Sequence, residues 1–187
     1  MTFLKDTNSG NLLKEIRANS PLIWNISNFV SMDIAANILL SIGASPAMAH
    51  AIEEAESFAN LSKAINGALT INIGTFDKHW QKCAVKVANE AKLHDIPWVL
   101  DPVGAGASEF RSNNAKELLF LKPTVLRGNG SEIISISGIS NSGKGVDSTS
   151  SSNEALDAAI KISNDNDIIV AITCLLYTSP SPRDRTT

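Results

Sequence analysis

The sequence predicts an α/β protein in which helices cover both faces of a mainly parallel sheet. Short apolar runs of strand length alternate with longer segments of helical period. The connections are short, and no internal repeat or long linker interrupts the alternation before residue 173. Polar or glycine-rich residues follow several of the apolar runs. Because ligands bind beyond the carboxyl ends of parallel strands, these residues form the candidate functional site.

The first half of the chain alternates as this fold class requires. Its apolar periods predict helices at 11–19, 32–41, 51–65 and 76–93, and strands at 22–26, 45–49 and 68–73. Pro21 ends the first helix because proline disfavours helical conformation at the residue before it. Ser31 is the predicted N-cap of the second helix, and Gly43 closes that helix.

The second half begins with the stretch that we expect to matter most. The apolar run 96–100 predicts a buried strand, and Asp101 and a glycine-rich turn follow it at once. The remaining pattern predicts helices at 114–121 and 155–162, strands at 123–126 and 167–172, and a polar strand-end loop at 127–132. A short helix follows that loop. The Ser- and Gly-rich segment 135–152 is then predicted to lie outside the core.

Composition excludes several classes of partner. The formal net charge is −3 and no basic run is present, which argues against nucleic acid and anionic membranes as partners. No apolar run approaches the roughly 18 residues of a membrane span, and the N-terminus lacks the apolar core of a secretory signal. Cys83 and Cys174 have no metal-ligand spacing and are typical of a reducing compartment. We expect a soluble, cytoplasmic protein.

Strand-end residues predict a site for magnesium and a polyphosphate. Parallel strands would gather these residues at one edge of the sheet: Asn28, Thr75, Asp101, Arg127, Asn129, Glu132 and Thr173. Carboxylates can hold or orient a hydrated magnesium ion, and an arginine offers a planar fork to phosphate oxygens. A purely structural alternative remains open, in which Arg127 and Glu132 form a salt bridge and Asp101 caps the next helix.

Three further candidates carry less weight. Residues 138–144 match a phosphate-binding P-loop up to its last position, where Gly145 replaces the required hydroxyl residue, so we reject that motif. His50 could touch a ligand, although a lone histidine is more often structural. Met48 would ordinarily be a core residue, but its soft side chain also suits one wall of an aromatic-ring pocket.

Six motifs in consistent order resemble the hydroxyethylthiazole kinase family. They are 25–28 (NISN), 43–50 (GASPAMAH), 72–75 (NIGT), 101–107 (DPVGAGA), 127–132 (RGNGSE) and 143–148 (GKGVDS). The resemblance runs from about Pro21 to Thr173. It implies a three-layer ribokinase-like fold and phosphorylation of 4-methyl-5-(2-hydroxyethyl)thiazole by ATP with magnesium, for thiamine synthesis or salvage. It also implies a homotrimer with sites at subunit interfaces.

The resemblance assigns site residues one by one. It implies Met48 and Asn28 for the thiazole, Arg127 and Thr173 for ATP, and Asp101 and Glu132 for magnesium. These are residues of the strand-end edge, apart from Met48, which lies in the second motif. The residue assignments therefore agree with the site predicted from the strand pattern.

After Thr173 the sequence departs from the family pattern. We therefore expect a partial kinase domain at 1–173 and a non-family tail at 174–187 that is disordered or artefactual. The family's glycine-rich catalytic loop is missing from this chain, so the sequence assigns no catalytic residue. We expect the 187 residues alone to be unstable and inactive. The alternatives are another ribokinase-like small-molecule kinase, an ATP-dependent dehydratase, or a non-catalytic nucleotide-binding module.

Overall fold

A computed structural model, which describes residues 9–138 and 148–173, confirms the predicted fold class. Six strands form a mainly parallel sheet flanked by helices. The described residues divide into two compact units, with the boundary between Trp98 and Val99. Among the described residues, no helix has the length and apolar character that crossing a membrane would require.

In the first unit, β1 is the central strand of a parallel group with the order β2-β1-β3. The elements are α1 (Ser9–Asn19), β1 (Leu22–Ile26), α2 (Met32–Ile42), β2 (Ser45–Ala47), a short 3-10 helix (Ile52–Glu54), α3 (Ala55–Ala64), β3 (Ala68–Asn72) and α4 (Lys78–Leu93). Leu22 pairs with Ser45, and Ile23 with Ala68. Trp24 is fully buried, so apolar burial holds this strand in place.

The second unit repeats the arrangement with β5 between β4 and β6. Its elements are β4 (Trp98–Asp101, whose first residue ends the first unit), α5 (Glu109–Phe120), β5 (Val125–Asn129), α6 (Gly130–Ser137), α7 (Ser148–Asn166) and β6 (Ile169–Thr173). Both pairings are parallel, with Val99 opposite Val125 and Asn129 opposite Thr173. The carboxyl ends of β4, β5 and β6 therefore lie at one edge.

Capping hydrogen bonds correct several predicted helix ends. Helix α4 begins at Lys78 rather than at 76, because the Asp77 side chain accepts the N–H of Trp80. Helix α5 begins five residues earlier than predicted, because Ser108 caps it by accepting the N–H of Arg111. Ser31 makes no capping side-chain bond, whereas Gly43 ends α2 in the predicted left-handed conformation.

The predicted loop at 127–132 is wrong. Strand β5 continues to Asn129 and α6 starts at Gly130, because Asn129 and Glu132 form a capping box that joins strand directly to helix. The prediction that 135–152 avoids the core is wrong at Ile136 and Ser137, which are buried on α6. Residues 139–147 and 174–187, which carry most of the rejected P-loop, most of the sixth motif and the tail, lie outside the described residues.

Candidate active site

The second unit places one charged pair at the ends of its strands. Asp101 is the last residue of β4, and an Oδ2 of Asp101 lies 2.9 Å from Nη1 of Arg127. The pairing register explains this contact, because Leu100 lies opposite Leu126 and the next residues are Asp101 and Arg127. The Arg127 side chain is 52% exposed and that of Asp101 is 18% exposed. This pair is therefore accessible to a charged ligand.

The structural alternative from the sequence is wrong in both of its parts. Arg127 pairs with Asp101 and not with Glu132. The cap of α5 is Ser108, so Asp101 does not fill that role. An ion pair instead joins the ends of β4 and β5. In place of their contact with each other, Asp101 could bind magnesium and Arg127 could bind phosphate oxygens.

Glu132 is held by backbone amides. Its Oε1 accepts the N–H of Gly104 at 2.9 Å and its Oε2 accepts the N–H of Asn129 at 2.9 Å. The residue is 8% exposed. The carboxylate thereby ties the glycine-rich turn after β4 to the first turn of α6. Gly128 leaves room for it, since an added Cβ there would lie 3.2 Å from Oε2.

The glycine-rich turn has a support that the sequence did not reveal. Gly104 and Gly106 have φ of 75° and 96°, which favour glycine. The Arg111 side chain packs 3.1 Å from the position that a Cβ of Gly104 would occupy, and its Nη1 donates to the Val103 carbonyl at 3.0 Å. The sequence could not show this support by Arg111, because the Ser108 cap that places Arg111 in the first turn of α5 was itself not predicted.

In the first unit, Asn28 organises the turn after β1. Its Nδ2 donates to Oδ1 of Asn72 at 2.7 Å, and its Oδ1 accepts the N–H groups of Val30 and Ser31 at 2.9 and 3.0 Å. Asn28 is 7% exposed. Thr75 also supports this turn, because its Oγ1 accepts the Phe29 N–H at 3.1 Å. The amide that the sequence places on the thiazole side is thus bound within the protein.

Met48 lies just after β2 and is partly exposed. Its carbonyl oxygen lies 3.1 Å from Nδ1 of His50, whose Nε2 accepts the Ser27 N–H at 2.9 Å. Burial lowers the pKa of His50, although its backbone hydrogen bonds oppose that shift. These contacts support a structural role for His50 rather than direct contact with a ligand.

Thr173 and the metal donors complete the predicted set. Thr173 ends β6 opposite Asn129, so it stands beside the end of β5 in the second unit. Among residues 9–138 and 148–173, no cluster of three or more His, Cys, Asp or Glu could enclose a metal ion. Magnesium in nucleotide sites usually keeps several waters and binds one or two carboxylates plus phosphate oxygens. The partly exposed carboxylate of Asp101 fits that kind of ion.

Comparisons with known proteins agree on one family. Residues 13–176 match the model of the hydroxyethylthiazole kinase family. The chain is 48% identical over 167 residues to the hydroxyethylthiazole kinase of Rhizobium rhizogenes, and this covers 89% of the chain and 61% of the relative. It is 47% identical over 162 residues to that of Roseobacter denitrificans, covering 87% of the chain and 62% of the relative.

A solved structure shows the same similarity. The hydroxyethylthiazole kinase of Pyrococcus horikoshii superimposes with a TM-score of 0.76 and 39% identity, over 88% of this chain and 59% of the solved one. The chain spans about three-fifths of the length of the curated relatives named above.

Proposed function

The chain belongs to the hydroxyethylthiazole kinase family, and we propose that the full-length protein phosphorylates the hydroxyl of 4-methyl-5-(2-hydroxyethyl)thiazole. Here, full-length means a chain of the relatives' length that includes these residues. ATP is the proposed phosphate donor and Mg²⁺ the proposed metal. The observation that carries the proposal is the family match over 13–176, which includes the ends of all six strands.

The proposed reaction forms a bond between the thiazole hydroxyl oxygen and the γ-phosphorus of ATP. The bond from that phosphorus to the β–γ bridging oxygen breaks, ADP leaves, and the hydroxyl proton is released to solvent. Magnesium would neutralise charge on the phosphate oxygens. We propose that Asp101 orients the hydrated ion and that Arg127 binds phosphate oxygens. Their surface ion pair supports this, because each would exchange one charged partner for another.

The remaining nucleotide-side residues have different proposed tasks. We assign Thr173 to ATP, because its place beside the end of β5 puts its hydroxyl on the same edge as Arg127. We keep Glu132 on the magnesium side as a residue that orients the glycine-rich turn. Both of its oxygens already accept backbone N–H groups, which supports an indirect role.

The thiazole side of the proposal rests on the first unit. We assign Met48 to the thiazole ring, because this residue is partly exposed beyond β2 and a thioether suits contact with an aromatic ring. Asn28 is assigned to the same side. Its buried amide supports a role in shaping the turn around the substrate.

Self-association is part of the proposal. Ile34 and Ile38 lie four residues apart on α2 and are 60% and 56% exposed, and Val30, in the turn just before α2, is 81% exposed. No residue of α2 is buried. This apolar face supports the homotrimer that the family resemblance implies. We also propose that the protein acts in the cytoplasm, as its composition suggests.

The test is an ATP-dependent phosphorylation assay of the purified full-length protein. We expect transfer to the thiazole alcohol in the presence of Mg²⁺ and none with an analogue lacking the hydroxyl. Transfer to a pyrimidine alcohol instead would favour another ribokinase-like kinase. Nucleotide binding without transfer to any alcohol would favour a non-catalytic module.

A second assay concerns the 187-residue chain, which we propose is inactive. A chimera would join its residues 1–173 to the remaining C-terminal part of the Rhizobium rhizogenes kinase. We expect transfer from the chimera and none from the 187 residues. Transfer by the 187-residue chain at a rate comparable to that of an active chimera would refute the proposed inactivity.

A further inference from the structure

His50 joins the two substrate-side segments of the first unit. Its Nε2 is 2.9 Å from the backbone nitrogen of Ser27, in the turn that contains Asn28. Its Nδ1 is 3.1 Å from the carbonyl oxygen of Met48. One imidazole ring therefore spans the end of β1 and the end of β2, where the two residues assigned to the thiazole lie.

The two contacts fix the protonation state of the ring. A backbone N–H can only donate, so Nε2 must be an unprotonated acceptor. A carbonyl oxygen can only accept, so Nδ1 must carry the hydrogen. The ring is then neutral, which agrees with the lowering of the His50 pKa by burial. Both nitrogens are committed, so neither is available to accept a proton from a substrate hydroxyl.

Aromatic packing fixes the orientation of the ring. The His50 and Trp80 rings meet edge to face with centroids 4.7 Å apart, and Phe29 meets Trp80 in the same way at 4.5 Å. Trp80 lies in the first turn of α4 and is 9% exposed. Trp80 therefore holds the ring in one orientation. A replacement side chain would have to bond both the Ser27 N–H and the Met48 carbonyl oxygen.

We propose that His50 is a positioning residue for the thiazole alcohol. Its neutral ring holds the Ser27–Asn28 turn and the Met48 backbone at a fixed separation, so that the Met48 side chain and the turn meet the substrate together. Loss of either hydrogen bond lets one segment move and weakens binding of the thiazole alcohol. Binding of ATP is unaffected. The inference rests on the proposed function.

Two variants each remove one of the two hydrogen bonds of His50 and keep the other. In His50→Asn the side-chain amide stands near the position of Nδ1 and keeps the donor to Met48, but it loses the acceptor for Ser27. In His50→Gln the amide oxygen reaches the position of Nε2 and keeps the acceptor, but the donor to Met48 is lost. His79→Gln is the matched control, because His79 is an exposed residue of α4.

The measurements are KM for the thiazole alcohol, KM for ATP and kcat, all in the full-length protein. We expect each His50 variant to raise KM for the thiazole alcohol by about three- to tenfold, the equivalent of one hydrogen bond. KM for ATP should stay within about twofold of the wild-type value, and His79→Gln should match wild type. A general loss of folded protein would instead lower the apparent kcat and leave both KM values unchanged.

Nitrogen NMR of the His50 ring provides a readout that does not depend on activity. We expect an unprotonated Nε2 and a protonated Nδ1 in the wild-type protein at neutral pH, and a protonated Nε2 would overturn the inference. An active wild type whose His50 variants keep the wild-type KM for the thiazole alcohol would also overturn it, and would leave the proposed function standing. A wild type that phosphorylates no thiazole alcohol would overturn the proposed function and with it the assigned substrate.

Discussion

In the first unit, the polar side chains after the strands are neutral and bond to other groups of the protein. In the second unit, the strand ends carry an ion pair that is partly exposed. Asn28 is 7% exposed and binds Asn72 and two backbone N–H groups. The Arg127 side chain is 52% exposed and binds Asp101 at the surface. Both regions follow parallel strands, and both were predicted to hold ligand-binding residues.

The difference follows from the cost of burying polar groups. A buried amide is tolerated when each of its atoms has a hydrogen-bond partner, and Asn28 meets that condition. A charged group keeps its attraction for a charged ligand only if it stays reachable. We therefore expect changes in the first unit to act mainly on stability and substrate fit, and changes at Asp101 and Arg127 to act mainly on catalysis.

The largest expected effect is that of Asp101→Ala in the full-length protein. Without this carboxylate the hydrated magnesium ion loses its proposed anchor at the phosphates. We expect kcat to fall by about 100-fold or more, on the scale found for the removal of one group that stabilises a transition state. The measurement is steady-state ATP-dependent phosphorylation. Glu109→Ala, which removes an exposed carboxylate from the first turn of α5, should keep the wild-type kcat.

Asn28→Asp tests the hydrogen-bond network that Asn28 forms with Asn72 and with the backbone of Val30 and Ser31. The substitution replaces the Nδ2 donor with an oxygen that faces Oδ1 of Asn72, so two acceptors oppose each other. We expect the free energy of unfolding to fall by about 2 kcal/mol. Urea unfolding measures this change. Asn89→Asp at an exposed site of α4 should cost less than about 0.5 kcal/mol, and an equal loss in both variants would contradict the role of the network.

Glu132→Gln distinguishes the buried carboxylate of Glu132 from the partly exposed carboxylate of Asp101. Glutamine keeps one oxygen for one backbone N–H, but its NH₂ group then faces the other N–H as a second donor. We expect a loss of stability of about 1.5 kcal/mol by urea unfolding. Asp101→Asn makes the same change of charge in a surface pair and should cost less than about 1 kcal/mol. The reverse ranking would show that Glu132 does not brace the turn.

The sequence predicts the alternation of strands and helices because the spacing of apolar residues shows which face of each element is buried. It does not predict where α5 begins, because that depends on the bond between Ser108 and the backbone of Arg111. It identifies Asp101, Arg127 and Glu132 as polar strand-end residues. It does not show which of them pair, because the pairing depends on the register of β4 against β5. Register joins residues that are distant along the chain, which local patterns do not encode.

Arg127→Lys tests whether the geometry of the exposed cation matters or only its charge. Lysine keeps the charge but lacks the planar fork that matches phosphate oxygens. We expect KM for ATP to rise by about tenfold, the loss of one charge-assisted hydrogen bond. Kinetics at varied ATP and saturating thiazole alcohol measure this effect. Arg111→Lys, which alters the support of the glycine-rich turn, should change kcat more than KM for ATP.

The smallest expected effect is a pH dependence of stability that originates at His50. The pKa of His50 in the folded protein lies below its ordinary value of 6.5, chiefly because the ring is buried. The unfolded chain therefore binds the proton more tightly, and protonation in the folded state would oppose an N–H at Nε2 to the Ser27 N–H. The stabilising contribution of neutral His50 is present above pH 6.5 and is lost as the pH falls through the folded pKa. Urea unfolding at several pH values between about 5 and 8 should show a steeper loss toward acid for wild type than for His50→Asn, with His79→Asn resembling wild type. If the free energy of unfolding changed with pH equally in all three proteins, the neutral His50 ring would contribute nothing to the pH dependence of stability.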